Sequence, residues 1–218
     1  MIQLWAVVVA AAWGCFVAIA PAGAAEQPVR IVVLGDSLSA GYGLPAAAAF
    51  PARLERALQA KMQTKGVAVS VANAGVSGDT SSDGLARLDW SVPEGTDAVI
   101  LELGANDALR GLDPAVTRKA LTAILDRLQQ RKIPVLLCGM LAPRNLGATY
   151  GQRFDAIYPD LAKRDGVLFY PFFLDGVATD AALNQRDGMH PTAAGVDVIV
   201  QRILPKVGEL IARVKTKG

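Results

Sequence analysis

The chain has 218 residues, 52% of them apolar, and 22 Lys and Arg stand against 20 Asp and Glu for a formal net charge of +2. That length suits one α/β domain with a full hydrophobic core. The charges are interspersed, which excludes a dedicated nucleic-acid-binding surface.

Residues 1–25 carry no charged side chain, and from Ile2 to Ala20 only Gln3 and Gly14 interrupt the apolar run. Pro21-Ala22-Gly23-Ala24-Ala25 follows, with small residues at a spacing of two, the pattern of a secretory cleavage site. The run lacks a leading Lys or Arg and is long enough to span a bilayer, so an uncleaved anchor is the alternative to a cleaved leader. Either reading places the domain of residues 26–218 outside the cytoplasm, with the periplasm as the expected compartment. Cys15 lies in the leader, where Ala12-Trp13-Gly14-Cys15 only faintly resembles a lipoprotein site. Cys138 is then the one cysteine of the mature domain. An internal disulfide is excluded, and so, with a single histidine, is a conventional zinc site.

Beyond the leader, strand and helix signals alternate. Residues 29–34, apolar without interruption from Ile31 to Leu34, read as a buried strand that stops at Gly35-Asp36-Ser37. Residues 45–65 read as a helix, with Phe50, Leu54, Leu58 and Met62 at helical spacing and Gly66 as its stop. A second strand is expected at 67–72, a glycine-rich loop at 73–80 and a short helix at 82–88. A third strand at 98–103 leads into Gly104-Ala105-Asn106-Asp107. Asp113-Pro114 reads as a helix start, Asp as cap and Pro in the first turn. A fourth strand is expected at 133–138, a long loop at 139–151, a helix at 152–164 and a fifth strand at 167–170. Pro191 opens the last helix, whose apolar stripe keeps the 3.6 period over four turns, with a kink at Pro205. This alternation implies a parallel sheet covered by helices on both faces.

In such a sheet the strand exits share one edge, where ligands bind. Ser37, at a strand exit and near a helix N-terminus, is a candidate nucleophile; an N-cap serine is the bland alternative. His190 is the only histidine, hence the only imidazole able to activate a hydroxyl. Asp187 precedes it by three residues across a glycine turn, close enough to fix its tautomer. Suitable oxyanion donors are the Ser37 N–H, a glycine N–H of the 73–80 loop and the Asn106 amide. Gly75 and Gly78 both lie in that loop. Ser39 is expected to serve backbone groups at the helix start. Asp36, Asp79 and Asp107 are expected to brace loops, and Asn73 its own turn.

Four blocks carry a resemblance: 34–42 around Gly35-Asp36-Ser37-Leu38, 77–88 around Ser77-Gly78-Asp79-Thr80, 102–111 around Gly104-Ala105-Asn106-Asp107, and Asp187-Gly188-Met189-His190-Pro191. In this order the chain resembles the Gly-Asp-Ser-Leu (SGNH) hydrolases, nearest to their thioesterase I/protease I/lysophospholipase group and bacterial arylesterases. Ala105 stands where the best-known member has glycine. The resemblance implies a flavodoxin-like three-layer α/β/α fold with a five-stranded parallel sheet and no cofactor. It implies Ser37 as nucleophile, His190 as base, Asp187 as its orienting acid, and Ser37 N–H, Gly78 N–H and Asn106 Nδ2 as oxyanion hole. It also implies that segment 108–113 moves over bound acyl chains.

Leu109, Leu112 and Leu146 are candidates for an acyl pocket, and Arg110 for a phosphate or carboxylate contact. The expected substrates are small acyl esters and thioesters, including aryl esters and lysophospholipids, with contact to lipid substrates. The oligomeric state is open, with a monomer as the expectation. Three rivals stand beside this reading. One is a carbohydrate O-acetyl esterase, disfavoured by Trp90 being the only tryptophan outside the leader. The others are an inactive membrane-tethered binding module and a flavodoxin-type electron carrier. Gly41-Tyr42-Gly43-Leu44-Pro45-Ala46 matches a dinucleotide pattern, but it lies too far past the strand and contains a proline.

Overall fold

A computed structural model describes residues 28–62 and 67–214. The expected leader, Cys15 and the Gly66 helix stop lie outside the described residues. At the centre runs β1 (Val29–Gly35), flanked by β2 (Val69–Gly75) and β3 (Ala98–Glu102). With β4 (Val135–Cys138) and β5 (Val167–Tyr170) they form one parallel sheet in the order β2-β1-β3-β4-β5. This is the flavodoxin-type order expected above. Ile31–Leu34 and all of β3 are buried, as continuous apolar runs must be when helices cover both faces of a sheet. The register sets Gly35 opposite both Gly75 and Glu102, so three strands end at one level and their loops leave side by side. Where β1 lies between β2 and β3 the chain order reverses, and Ser37 stands just beyond that switch point.

The helices are α1 (Ser37–Ala40), α2 (Phe50–Met62), α3 (Ser81–Ala86), α4 (Leu88–Ser91), α5 (Ala105–Leu109), α6 (Pro114–Gln130), α7 (Ala148–Asp155), α8 (Ile157–Leu161) and α9 (Ala193–Ala212). One layer pairs α2 with α9; the other gathers α3, α5, α7 and α8 around α6. Phe50, Leu54 and Leu58 are fully buried, as the helical spacing requires. In α9, Val196, Ile199, Val200, Ile203, Val207, Leu210 and Ile211 are buried.

Several boundaries differ from the sequence reading, each for a local reason. The helix expected at 45–65 is split: Ala46–Ala48 form a 3-10 turn, Ala49 is extended, and α2 begins at Phe50. Pro51 has no N–H to give to Ala47, so a helix cannot run through it from Pro45. The 152–164 helix is likewise two pieces, α7 and α8, with Pro159 in the second. The expected loops at 104–107 and 139–151 contain α5, the start of α7 and a 3-10 turn at Arg144–Leu146. The last helix starts at Ala193, because Thr192 caps it by accepting from the Gly195 N–H at 3.3 Å. Pro191 is held earlier, bridged to Asn184. The helix runs on past Pro205, which is exposed beside an exposed Gln201, so the carbonyl left without its partner faces water.

Candidate active site

Asp36 leaves β1 and caps α1, its Oδ1 accepting from the Leu38 N–H at 3.0 Å. The cap is therefore Asp36, and Ser37 is the first helical residue. Its N–H is one of the groups a helix cannot satisfy internally, and it has no acceptor among the described residues. Gly41 ends this single turn in the left-handed conformation at φ 81°. Gly75 of β2 packs so close that a Cβ would collide with the Ala40 backbone. Its N–H is taken by Asn73 Oδ1 at 2.9 Å, which removes it from the possible oxyanion donors. Ser39, expected to serve the helix start, instead donates to Glu102 Oε2 at 2.6 Å.

The segment 183–192 folds back on itself through Gln185 N–H to His190 O and Thr192 N–H to Leu183 O, at 2.7 and 2.8 Å. Gly188, at φ 70°, makes the turn between Asp187 and His190. Asp187 Oδ1 accepts from the N–H groups of Met189 and His190 at 2.9 and 3.0 Å, and Oδ2 lies 2.7 Å from His190 Nδ1. These backbone N–H groups, with the imidazole, hold the Asp187 carboxyl down to about 2. An ionised carboxylate only accepts, so Nδ1 carries the proton and Nε2 is free to accept. Nε2 lies 2.9 Å from Ser37 Oγ. Ser37, His190 and Asp187, separated by 153 residues in sequence at one step, thus form one hydrogen-bonded line. The Tyr42 ring covers the imidazole at a centroid distance of 4.5 Å, and Gln185 Nε2 fastens the Tyr42 carbonyl at 2.7 Å.

Two further loops border this line. Val76–Asp79 is a turn closed by Asp79 N–H to Val76 O at 3.2 Å, with Gly78 at φ 88°. The Gly78 N–H has no acceptor among the described residues. Asn106, on α5, directs Nδ2 to Asp36 Oδ2 at 3.1 Å and to Asp79 O at 2.9 Å. Both its N–H groups are thus engaged, a feature the sequence did not reveal. Asp107 is fully buried and accepts from Ser81 N–H, Ser81 Oγ and Thr117 Oγ1 at 2.8, 2.5 and 2.9 Å, bracing the loops as expected.

Arg110, read as a ligand contact, donates from Nη2 to the Gly78 carbonyl at 2.7 Å. Leu109 is exposed on α5, while Leu112 and Leu146 are half-buried on separate loops. Sequence reasoning missed Tyr42, Arg87, Glu102 and Gln185. Glu102 did carry a signal, as the one ionisable residue in an otherwise apolar strand. Burial and the neighbouring Asp36 push its carboxyl well above the usual range, and burial pushes Asp36 itself up to about 6.

A hydroxyl aligned on a carboxylate-held imidazole, with unpaired N–H groups beside it, is equipped for acyl transfer through the hydroxyl. Residues 33–198 match the model of the GDSL-like Lipase/Acylhydrolase family. Thioesterase 1/protease 1/lysophospholipase L1 of Escherichia coli (strain K12) is 43% identical over 162 residues, 74% of this chain and 74% of that protein. The arylesterase of Vibrio mimicus is 39% identical over 169 residues, 77% of this chain and 82% of that protein. Among solved structures, AlinE4, an SGNH-hydrolase family esterase, is similar with a TM-score of 0.69 at 46% identity, covering 84% of this chain and 96% of its own. Sequence blocks, strand order and relatives therefore agree: the chain belongs to the GDSL-like lipase/acylhydrolase family and is a hydrolase of ester bonds.

Proposed function

We propose that the protein is an exported serine esterase and thioesterase that works through an acyl-enzyme on Ser37. His190 Nε2 takes the hydroxyl proton as Ser37 Oγ attacks the acyl carbonyl, and then returns it to the leaving alcohol or thiol. Asp187 holds the ring and stabilises the imidazolium that forms. Water, activated by the same imidazole, then releases the acid. The Ser37 and Gly78 N–H groups and Asn106 Nδ2 receive the oxyanion; Asn106 shares or exchanges one of its two present bonds to do so. The observation that carries this reading is the line of 2.9 and 2.7 Å contacts from Ser37 through His190 to Asp187.

The substrate class follows from the rim. Tyr42, Val76, Leu109, Leu141 and Met189 are exposed large apolar side chains, and each follows a strand exit or sits on the histidine segment. Such a border suits an acyl chain. The proposed substrates are acyl and aryl esters, acyl thioesters and lysophospholipids, the compounds after which the relatives are named. Leu112 and Leu146 would extend the pocket. Among the described residues no helix is long and apolar enough to cross a membrane, so export rests on residues 1–25 acting as a leader.

A fluorophosphonate probe tests the nucleophile on purified protein. Labelling and turnover are expected to vanish in Ser37→Ala; labelling that persists there refutes the reading. An acyl-length series on the same protein should favour long over acetyl esters. A strict preference for acetyl groups would move the protein to the carbohydrate O-acetyl esterases. Sequencing the N-terminus of the periplasmic protein tests export, with a start near residue 26 expected.

A further inference from the structure

We propose that Arg87 is a positioning residue that sets the distance between the nucleophile and its oxyanion donors. This rests on the roles given above to Ser37, Gly78 and Asn106, but concerns a side chain that touches none of the reacting atoms.

Arg87 lies between α3 and α4, its side chain 15% exposed. Its guanidinium donates four hydrogen bonds, to the ends of two strands, to one loop and to the last residue of α4. Nη2 reaches the Gly35 carbonyl and Nη1 the Ala74 carbonyl, both at 2.8 Å. Nη1 also reaches Ser91 Oγ at 2.8 Å, and Nε pairs with Asp79 Oδ2 at 2.6 Å. Gly35 is two residues before Ser37. Asp79 directly follows Gly78, and its carbonyl accepts from Asn106 Nδ2 at 2.9 Å. One planar group therefore joins the nucleophile turn to the loop that presents the Gly78 N–H and accepts from Asn106.

The direction of the Gly78 N–H depends on that anchor. In the 76–79 turn the third residue is left-handed, the type II pattern, and the central peptide carries the Gly78 N–H. Where this N–H points is fixed by where the fourth residue, Asp79, is held. Arg87 holds its carboxylate, and Asn106 its carbonyl. Arginine suits the position because its donors lie in one rigid plane; lysine offers a single mobile ammonium. A misplacement of about 1 Å in such a constellation costs roughly 10²-fold in rate.

The test is steady-state hydrolysis of an aryl ester by Arg87→Lys, expressed per active site titrated to completion with fluorophosphonate, below the measured Tm. The expected result is a fall in kcat of about 10²-fold with KM nearly unchanged, and a parallel fall in the phosphonylation rate, because the phosphonyl oxygen uses the same donors. A merely structural role would lower the number of titratable sites and leave kcat per site intact; that result overturns the proposal. If Arg87→Lys does not fold, Asp79→Asn decides, with the same expectation and the same refutation. Ser37→Ala run in parallel separates the two readings. Turnover that survives in it defeats the proposed function, whereas a dead Ser37→Ala beside a fully active Arg87→Lys defeats only the role of Arg87.

Discussion

Glu102→Gln should change how stability depends on pH, and the structure fixes the sign. Glu102 is fully buried at the end of β3, with Ser39 Oγ and the Asp36 N–H on Oε2 at 2.6 and 3.4 Å. Oε1 has no hydrogen-bond partner, and no cation pairs with the carboxyl among the described residues. Its charged neighbour is another carboxylate, Asp36. The folded state therefore keeps the proton well above the ordinary value of 4.5. A group raised in this way contributes its full stability below the unfolded value and loses it as pH rises towards the folded one. In that window the folded chain binds one proton more than the unfolded chain, so stability falls by about 1.4 kcal/mol per pH unit.

Glutamine does not titrate. As pH rises from 5 within that window, the variant should gain on the native protein by about 1.4 kcal/mol per pH unit, or roughly 3–6 °C in Tm per unit for a domain of this size. The extra N–H of glutamine costs roughly 1–3 kcal/mol, but equally at every pH. Thermal unfolding by circular dichroism at pH 5, 6 and 7 measures the gap. Parallel curves for the two proteins, or a gap that moves the other way, would show that Glu102 is ionised in the fold and refute the reasoning.

Asn106→Ala should lower kcat by about 10²–10³-fold with KM little changed, measured on an aryl ester; an unchanged kcat would remove Asn106 from the oxyanion hole. Asp187→Asn should lower kcat by about 10²-fold or more, because the imidazole loses its fixed tautomer. The Asp187 carboxyl is held down to about 2, so its stabilisation is present above the ordinary value of 3.8 and lost as pH falls towards 2; acid titration of native and variant stability checks this. Lys132, at φ 57°, occupies the left-handed position after α6, with Lys132 N–H on Gln129 O and Ile133 N–H on Leu128 O. Glycine fits that conformation better, so Lys132→Gly should raise stability by about 0.5–1 kcal/mol in urea unfolding.

The parts legible in the sequence were those that follow from short-range pattern. Ile31–Leu34, Ala98–Leu101 and β4 are runs of apolar residues because a doubly covered parallel strand needs nothing else. Asp187 and His190 were legible because their contact is local and no other imidazole exists. Asp113 was read as a cap because its signal also lies within three residues. What escaped depends on partners far away in sequence. Arg87 reaches Gly35 across 52 residues and Gln185 reaches Tyr42 across 143. The engagement of Asn106 with Asp36 is of the same kind, across 70 residues. The split of the 45–65 helix was different. Phe50, Leu54 and Leu58 keep helical spacing from position 50 on, and only the missing N–H of Pro51 marks the break before them.

The carboxylates around Ser37 explain how a site this anionic stays organised. Each is satisfied differently: Asp187 by backbone N–H groups and the imidazole, Asp107 by a serine and a threonine, Asp36 by the Leu38 N–H and the Asn106 amide, and Glu102 by the Ser39 hydroxyl and the Asp36 N–H. Only Asp79 takes a cation, Arg87. Neutral dipoles thus do most of the holding, and dipoles fixed by the fold need no reorganisation when charge develops. The negative charge that remains has a direction. Asp187 touches His190, and Asp36 interacts with it favourably through space. In the proposed mechanism both favour the imidazolium that forms while Ser37 gives up its proton. The same carboxylates oppose a second negative charge once the acyl group has become a free acid. An ester enters such a site neutral and leaves it as an anion, so the arrangement that supports the transition state also weakens the hold on the product.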